Sequence, residues 1–386
     1  MKLGEVCDSI SATFDKTKQQ VVPVNTSDVL NGKVTNHVLV NNKGLKGQFK
    51  KTFQKDDILY SEIRPKNKRF AFIDFNANDY VASTKLMVIR ANEKVLPQYL
   101  YQVLKSEEII NQLQFLAESR SGTFPQITFS ELAQINVRIP KLDEQKEIAD
   151  FLRLFDDKIE NNKKINHHLE QMAQAIFKSW FIDFESFDGR MPSDWKIANL
   201  TDIAEYLNGL AMQKYRPLDD RESLPVLKIK ELRQGTFDSS SDSCSSKIKT
   251  QYVVKDGDVI FSWSGSLLVD FWTGGIGGLN QHLFKVSSQD YDKWFYYSWT
   301  KYYLDEFTAI AADKATTMGH ITRSSLEKAK VLIPSNQDYK TLGSLLAPIY
   351  NQIIYNRIEN RKLTEARDTL LPKLLSGEIS VNQTAK

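Results

Sequence analysis

The sequence predicts an α+β protein in which one arrangement is used twice: a mixed α/β region and a long helix, then a second mixed region and a second long helix. Three observations carry this. Residues 137–155 read VRIPKLDEQKEIADFLRLF and residues 331–349 read VLIPSNQDYKTLGSLLAPI, one pattern repeated at an offset of 194 residues. Solenoid units run to a few tens of residues, so a period this long marks a duplicated domain. At the same offset, with no gap, Thr123, Ile127, Thr128, Leu132, Pro140, Leu152, Ile159 and Asn162 all fall on identical residues. Finally, the repeated backs carry a helical heptad seam, whereas the fronts carry short β-rich runs and differ from each other.

The first front, residues 1–141, holds strand-like runs at Asp56 to Glu62 and Leu86 to Ile89, then a helical stretch from Leu96 to Glu118. The first long helix is expected over 142–183. Its seam positions 148, 152, 155, 159, 162, 166, 169, 173, 176 and 180 step by alternating fours and threes. Asp143 is placed to cap it, with Glu144 and Glu147 at the positive end of the helix dipole. The second front, 184–335, repeats the pattern with strands at Gln251 to Val254 and Asp258 to Trp263 and a helix from Trp294 to Ala312. Its Ser-rich stretch, Ser239 to Ser246, reads as a loop, and TGGIGGLN at 273–280 as a turn before a strand. The second long helix, 336–378, runs its seam through Leu342, Leu346, Ile349, Ile353, Asn356 and Asn360 to Leu374, with Gly377 as a stop and 379–386 as a tail. Pro348 and Pro372 lie inside it and are expected to kink or divide it. Helices of about 40 residues are roughly 60 Å long. Asn162 and Asn356, like Asn166 and Asn360, hold matching seam positions. Buried, they would fix register; in a seam open to solvent they would be idle.

A length of 386 residues suits two to three domains, and 41% hydrophobic content suffices for ordinary cores. No apolar run approaches the roughly 18 residues of a membrane helix, and the start Met1-Lys2-Leu3-Gly4 resembles no signal peptide, so a soluble, cytoplasmic protein is expected. Cys7 and Cys244 are too far apart in sequence to suggest a metal knuckle or redox pair. The net charge of +3 divides unevenly, +5 over residues 1–140 and −2 over 185–334, so the first half advertises a polyanionic partner more strongly.

A duplicated enzyme would show its catalytic residues twice, and here no phosphate loop, H-E-x-x-H or nucleophile elbow occurs even once. The five histidines form no ligand pattern, and Asp56-Asp57 and Asp156-Asp157 read as a strand cap and a solvated helix face. What remains is surface for binding. NNKGLKGQFKKTFQK at 41–55 sets Lys43, Lys46, Lys50 and Lys51 among phenylalanines, and RPKNKRF at 64–70 adds Arg64, Lys66, Lys68 and Arg69. Such loops neutralise phosphates and can send a cation into a groove. In the second half the candidates are Lys228, Lys230, Arg233, Lys247, Lys249 and Arg323, with neutral donors expected to share the work.

The repeated IP-K-L-DEQKEIADFL, the run MAQAIFKSWFIDF at 172–184 and the ending LLPKLLSGEISV at 371–381 together resemble the specificity subunit of type I restriction-modification systems. The resemblance covers essentially the whole chain. It implies two target-recognition domains, each reading one half of a split double-stranded DNA sequence, with the two long helices packed as an antiparallel coiled coil. It implies methylation subunits, two in number, that bring S-adenosylmethionine, and restriction subunits that use ATP and Mg²⁺; this chain would hold no cofactor. The family's Gly-x-x-x-x-Ile turn survives as SGTFPQIT and ATTMGHIT, which makes Arg120, Thr123, Gln126, Thr317 and His320 candidates for DNA proximity. Phe177, Trp180, Phe181 and Phe184 are expected to anchor the methylation subunits or, alternatively, to close the junction with the second recognition domain. The second copy departs from the pattern with SNQDYKTL in place of KLDEQKEI. A stand-alone DNA-binding regulator stays open as an alternative. A self-contained methyltransferase would need an Asn-Pro-Pro-aromatic tetrapeptide, which the chain lacks.

Overall fold

The computed structural model describes residues 1–15, 17–30, 32–119, 125–313 and 319–384. The chain divides into two compact units, Met1–Asp157 with Glu365–Lys386, and Lys158–Thr364. Each long helix therefore contributes one part to each unit.

In the first unit an antiparallel sheet runs in the order Cys7–Ser9, Leu86–Ala91, Ile58–Ser61, Phe70–Phe72. A second, mixed sheet runs Val40–Asn41, Gln20–Val24, Tyr80–Ser83, Phe49–Lys51, its two inner strands parallel. Ile58–Ser61 is buried along its whole length, which is why it reads as a continuous apolar run rather than an alternation. The helical stretch after residue 96 is two helices, Pro97–Leu104 and Glu107–Glu118, because Ser106 caps the second by accepting from Ile109 N. Their apolar faces share a core with Ile148 and Leu152 of the first long helix and Leu371 and Leu374 of the second.

The second unit repeats this plan. Its antiparallel sheet runs Glu205–Asn208, Leu283–Ser287, Val259–Ser262, Leu268–Phe271, and its mixed sheet Ser243–Ser245, Ser223–Leu227, Gly277–Leu279, Val253–Val254, again with the inner pair parallel. The Ser-rich stretch expected to be a loop thus supplies an edge strand, Ser243–Ser245. Lys196–Asn199 pairs with Lys330–Ile333, where the first unit has an isolated bridge from Lys2 to Asn136. Matching acids open the central strands. Asp57 accepts from Gln54 N at 2.8 Å and is gripped by Arg90 through two bonds of 2.7 and 2.8 Å, while Asp258 accepts from Lys255 N at 2.9 Å and pairs with Lys285 at 2.8 Å. Both cysteines are free and buried, and burial pushes the Cys7 thiol up to about 12.

The long helices span Leu142–Phe181 and Asn336–Ser376, 40 and 41 residues. Asp143 lies inside the first turn rather than capping it. Pro348 and Pro372 do not divide the second helix. Each removes one backbone hydrogen bond, but Leu342, Leu346 and Ile349 lock the backbone around Pro348 into the core of the second unit, and Leu371 and Leu374 do the same around Pro372 in the first. The departure of SNQDYKTL from KLDEQKEI also has a physical reading. Buried Gln145 accepts from Leu96 N at 2.7 Å, at the N-cap of the helix Pro97–Leu104, and donates to the carbonyls of Lys94 and Pro140. At the same repeat position Tyr339 accepts from Asp292 N at 2.8 Å, at the N-cap of the helix Lys293–Tyr302. One job, pinning a helix start in the recognition region, is done by an amide in one copy and a phenol in the other.

Asn162, Asn166 and Asn356 are buried and Asn360 is half-buried, so the seam does not open at these positions. Asn162 donates to Asn360 Oδ1 at 2.9 Å and to Glu359 at 2.6 Å, and Asn356 donates to Asn166 Oδ1 at 2.8 Å. Since 356 and 360 are the repeat images of 162 and 166, each residue meets the image of the other, the reciprocity of a two-fold contact written within one chain. The pairing is antiparallel. Asn162→Ala leaves Asn360 and Glu359 without this donor and should lower stability by about 1–3 kcal/mol. Leucine at all four positions should hold or raise the melting temperature instead, which thermal unfolding of the variants would check.

Candidate nucleic-acid interface

Each unit carries a groove against its mixed sheet. That of the first unit, about 920 Å³, is lined by Lys18, Asn41, Asn42, Lys43, Lys46 and Lys50 among others, with Phe14 and Phe49 as its apolar floor. Lys43, Lys46 and Lys50 are exposed. Lys51 is not their equal. Neighbouring residues on the strand Phe49–Lys51 face opposite ways, so Lys51 turns inward and donates to the carbonyls of Thr84 (3.1 Å) and Leu86 (2.8 Å). Burial holds its ammonium below the usual lysine range.

The basic stretch 64–70 divides in the same way. Pro65–Asn67 is a single 3-10 turn bracketed by Arg64 and Lys68, at φ +45° and +52°. Both are non-glycine residues in the left-handed region, a cost of order 1–3 kcal/mol each that marks an imposed backbone. The turn thrusts Arg64 and Lys66 into solvent. Lys68 is paired with Glu107, and Arg69 Nη1 donates to Ser27 O at 3.0 Å, so these two cations brace the fold.

In the second unit the groove, about 770 Å³, is lined by Gln213, Arg216, Lys228, Lys230, Asn280, Gln281 and His282 beside Asp242. Here the acids sit on the cations. Lys228 pairs with Asp242, Lys230 with Asp238 at 2.9 Å, Lys247 with Glu222 at 2.5 Å and Arg323 with Glu327 at 3.5 Å. Hydrogen bonds from Ser240 and then Lys230 hold the Asp238 carboxyl well below the usual carboxylate range. Arg233 and Lys249 are exposed. Charge counting missed Gln213, Asn280 and Gln281 because amides carry no charge, and it missed Arg216 and His282 because Arg216 is followed by Asp219 and Asp220 and His282 is flanked by no cation.

Gln126 and His320, equivalent by the repeat, form equivalent antiparallel bridges, with Ile63 and Ser264 respectively. Arg120, Thr123 and Thr317 lie outside the described residues. His167 and His168 are exposed, and among the described residues no group of three or more His, Cys, Asp or Glu is placed to hold a metal. Among them, too, no helix is long and apolar enough to cross a membrane.

The aromatic cluster at the end of the first long helix belongs to the core of the second unit. Phe177 is 7% exposed and Phe181 2%. Phe181 meets Trp195 and Trp299 at 5.3 Å between ring centroids, and Phe177 meets Trp299 at 5.0 Å. Trp180 packs on Phe187 and Phe184 on Trp195, both half-buried. Burial of Phe177 and Phe181 fits the alternative expectation, closure onto the second recognition region, whereas Trp180 and Phe184 keep surface. The density of rings follows from the helix end serving as one wall of a domain.

Comparison with known proteins agrees with the architecture. The family model described as "Type I restriction modification DNA specificity domain" matches residues 1–171 and again 192–365, one match per repeat. The specificity subunit of the type I restriction enzyme HindI from Haemophilus influenzae is 30% identical over 451 residues, covering 98% of this chain and 98% of that protein. The MjaIX specificity subunit from Methanocaldococcus jannaschii is 28% identical, covering 89% of this chain and 82% of its own. Among solved structures, the S subunit of a type I restriction-modification system from M. genitalium matches with a TM-score of 0.59 at 16% identity, over 97% of this chain and 95% of that one, a likeness of fold. A family match spanning both repeats and a full-length relative at this identity leave one conclusion: the chain belongs to the type I restriction modification DNA specificity family.

Proposed function

We propose that this chain is the DNA-reading subunit of a type I restriction-modification complex in the cytoplasm. Each unit reads one half of a split duplex target, and the chain directs methylation and restriction subunits to it. The observation that carries this reading is that the family match falls once on each repeat, and each repeat has a groove of hydrogen-bonding side chains beside the same sheet. The chain itself is not catalytic. S-adenosylmethionine comes with the methylation subunits, ATP and Mg²⁺ with the restriction subunits.

Within the first unit, Lys43, Lys46, Lys50, Arg64 and Lys66 are the phosphate contacts this reading favours, since they are exposed. In the second, Arg216, Arg233, Lys249 and the neutral donors of the groove take that part, and Lys228, Lys230, Lys247 and Arg323 would have to exchange a carboxylate for a phosphate. Of the four aromatics, Trp180 and Phe184 keep surface for a methylation subunit.

The reading is tested by expressing the chain with its methylation subunits. Stable co-purification and sequence-specific methylation are expected; a clean monomer with full site affinity would favour the stand-alone regulator. Changing Lys43, Lys46 and Lys50 together to Ala should weaken binding to all sequences about equally and reduce the salt slope by roughly 3, near one per phosphate contact. An unchanged slope would place the DNA-facing surface elsewhere.

A further inference from the structure

The repeat lets equivalent positions be matched by backbone pairing rather than by sequence, and one set of positions stands out. In the first unit Leu86 pairs with Ser61, and in the second Leu283 pairs with Ser262. Ser61 and Ser262 each donate to the carbonyl two residues on, of Ile63 and Ser264. Ile127 N donates to Glu62 O at 2.8 Å, and its repeat image Ile321 N donates to Trp263 O at 3.1 Å. Glu62 is thus the counterpart of Trp263, Lys85 of His282 and Gln126 of His320.

These three positions converge in both units. Glu62 lies 3.9 Å from Lys85 Nζ and 3.8 Å from Lys51 Nζ, and Lys85 donates to Gln126 Oε1 at 3.0 Å. In the second unit the Trp263 ring is 6.2 Å from both His282 and His320, its Nε1 donates to Asn208, and His282 Nδ1 is 3.1 Å from Ser264 Oγ. All six side chains keep solvent contact, Lys85 and His320 most. His282 lines the groove of the second unit, and in the first unit Thr84, the residue before Lys85, donates its N–H to the carbonyl of Gln48, the residue before the groove-lining Phe49. The surrounding frame is held in kind, serine for serine, leucine for leucine and isoleucine for isoleucine, while the trio changes from carboxylate, ammonium and amide to indole and two imidazoles.

A frame kept constant around three contrasting side chains that all reach solvent is what two readers of different sequences need. Resting on the function proposed above, we infer that Glu62, Lys85 and Gln126 read a base pair of one half-site and Trp263, His282 and His320 a base pair of the other. The first trio suits a G·C pair: Glu62 accepts from the cytosine N4 amino group and Lys85 donates to guanine O6 or N7, with Gln126 oriented by Lys85. The second suits an A·T pair, the indole packing on the thymine methyl and an imidazole N–H reaching adenine N7. Lys51, turned inward, positions Glu62 rather than touching a base.

The test is methylation-motif mapping with the full chain in its complex, on a randomised DNA library. Glu62→Ala should relax one G·C position of a single half-site, cutting discrimination there by roughly 5- to 150-fold and leaving the other half-site intact. His320→Ala should relax an A·T position of the other half-site alone. The graft Trp263→Glu, His282→Lys, His320→Gln should convert that position toward G·C. An unchanged motif in Glu62→Ala and His320→Ala would overturn the inference, and so would equal loss on every sequence with an unaltered melting curve. Should the graft fail to fold, the two single variants decide. A wild-type complex that shows no split motif would defeat the functional reading itself, a separate outcome.

Discussion

Phe181→Ala should destabilise the second unit by about 3–5 kcal/mol, a loss visible as a fall in melting temperature before any binding is measured. Phe181 is 2% exposed and makes ring contacts with Phe177, Trp195, Phe295 and Trp299. Truncation opens a cavity that none of these large rings can fill without leaving its rotamer. Domains are stable by only about 5–15 kcal/mol, so a substantial fraction of molecules would unfold at physiological temperature, and partner binding would fall with folding. Trp180→Ala, removing a half-buried ring against Phe187, should cost less stability and, if Trp180 anchors a methylation subunit, proportionately more affinity. A Phe181→Ala chain with a wild-type melting curve and no partner binding would return that residue to the interface.

Lengthening both long helices by seven residues should lengthen the spacer of the recognised DNA while leaving the half-site sequences alone. The reciprocal pairs fix where the insertions belong. Asn162 meets Asn360 and Asn166 meets Asn356, so Lys164 and Ile358 lie opposite one another midway, and 358 is also the repeat image of 164. Seven residues after each keep the heptad in phase, preserve both asparagine pairs and extend the helices by about 10 Å. At 3.4 Å per base pair that is about three base pairs, which also turns one half-site by roughly a third of a helical turn. Methylation should therefore require a longer gap, or fail if the turn cannot be accommodated. An insertion in one helix alone should mainly damage folding. Normal activity at the original gap would show that the helices do not set the distance.

The helices and the duplication were legible in the sequence because both rest on periodicity. The seam steps and the offset of 194 survive any divergence that keeps apolar residues apolar. At two places tertiary structure overrides local chemistry. Pro348 and Pro372 break a helix that stands alone, but not one held by buried leucines on either side. Phe177 and Phe181 look like surplus aromatics when the seam is taken as a two-helix contact, and become core once the helix end is a domain wall. The interface was the least legible part. Composition finds charge, so it found Lys43, Lys46 and Lys50, but it could not see that Lys51, Lys68 and Arg69 are turned to carbonyls and carboxylates. Nor could it bring Glu62, Lys85 and Gln126 together from three separate parts of the chain, since only backbone pairing does that.

The most direct measurement is the position of every methylated base that the wild-type complex places on a library of random DNA. Two short, unlike half-sites separated by a gap of fixed length and free sequence are expected, one half-site for each repeat. A single uninterrupted motif, or methylation indifferent to gap length, would contradict a chain built from two separate readers.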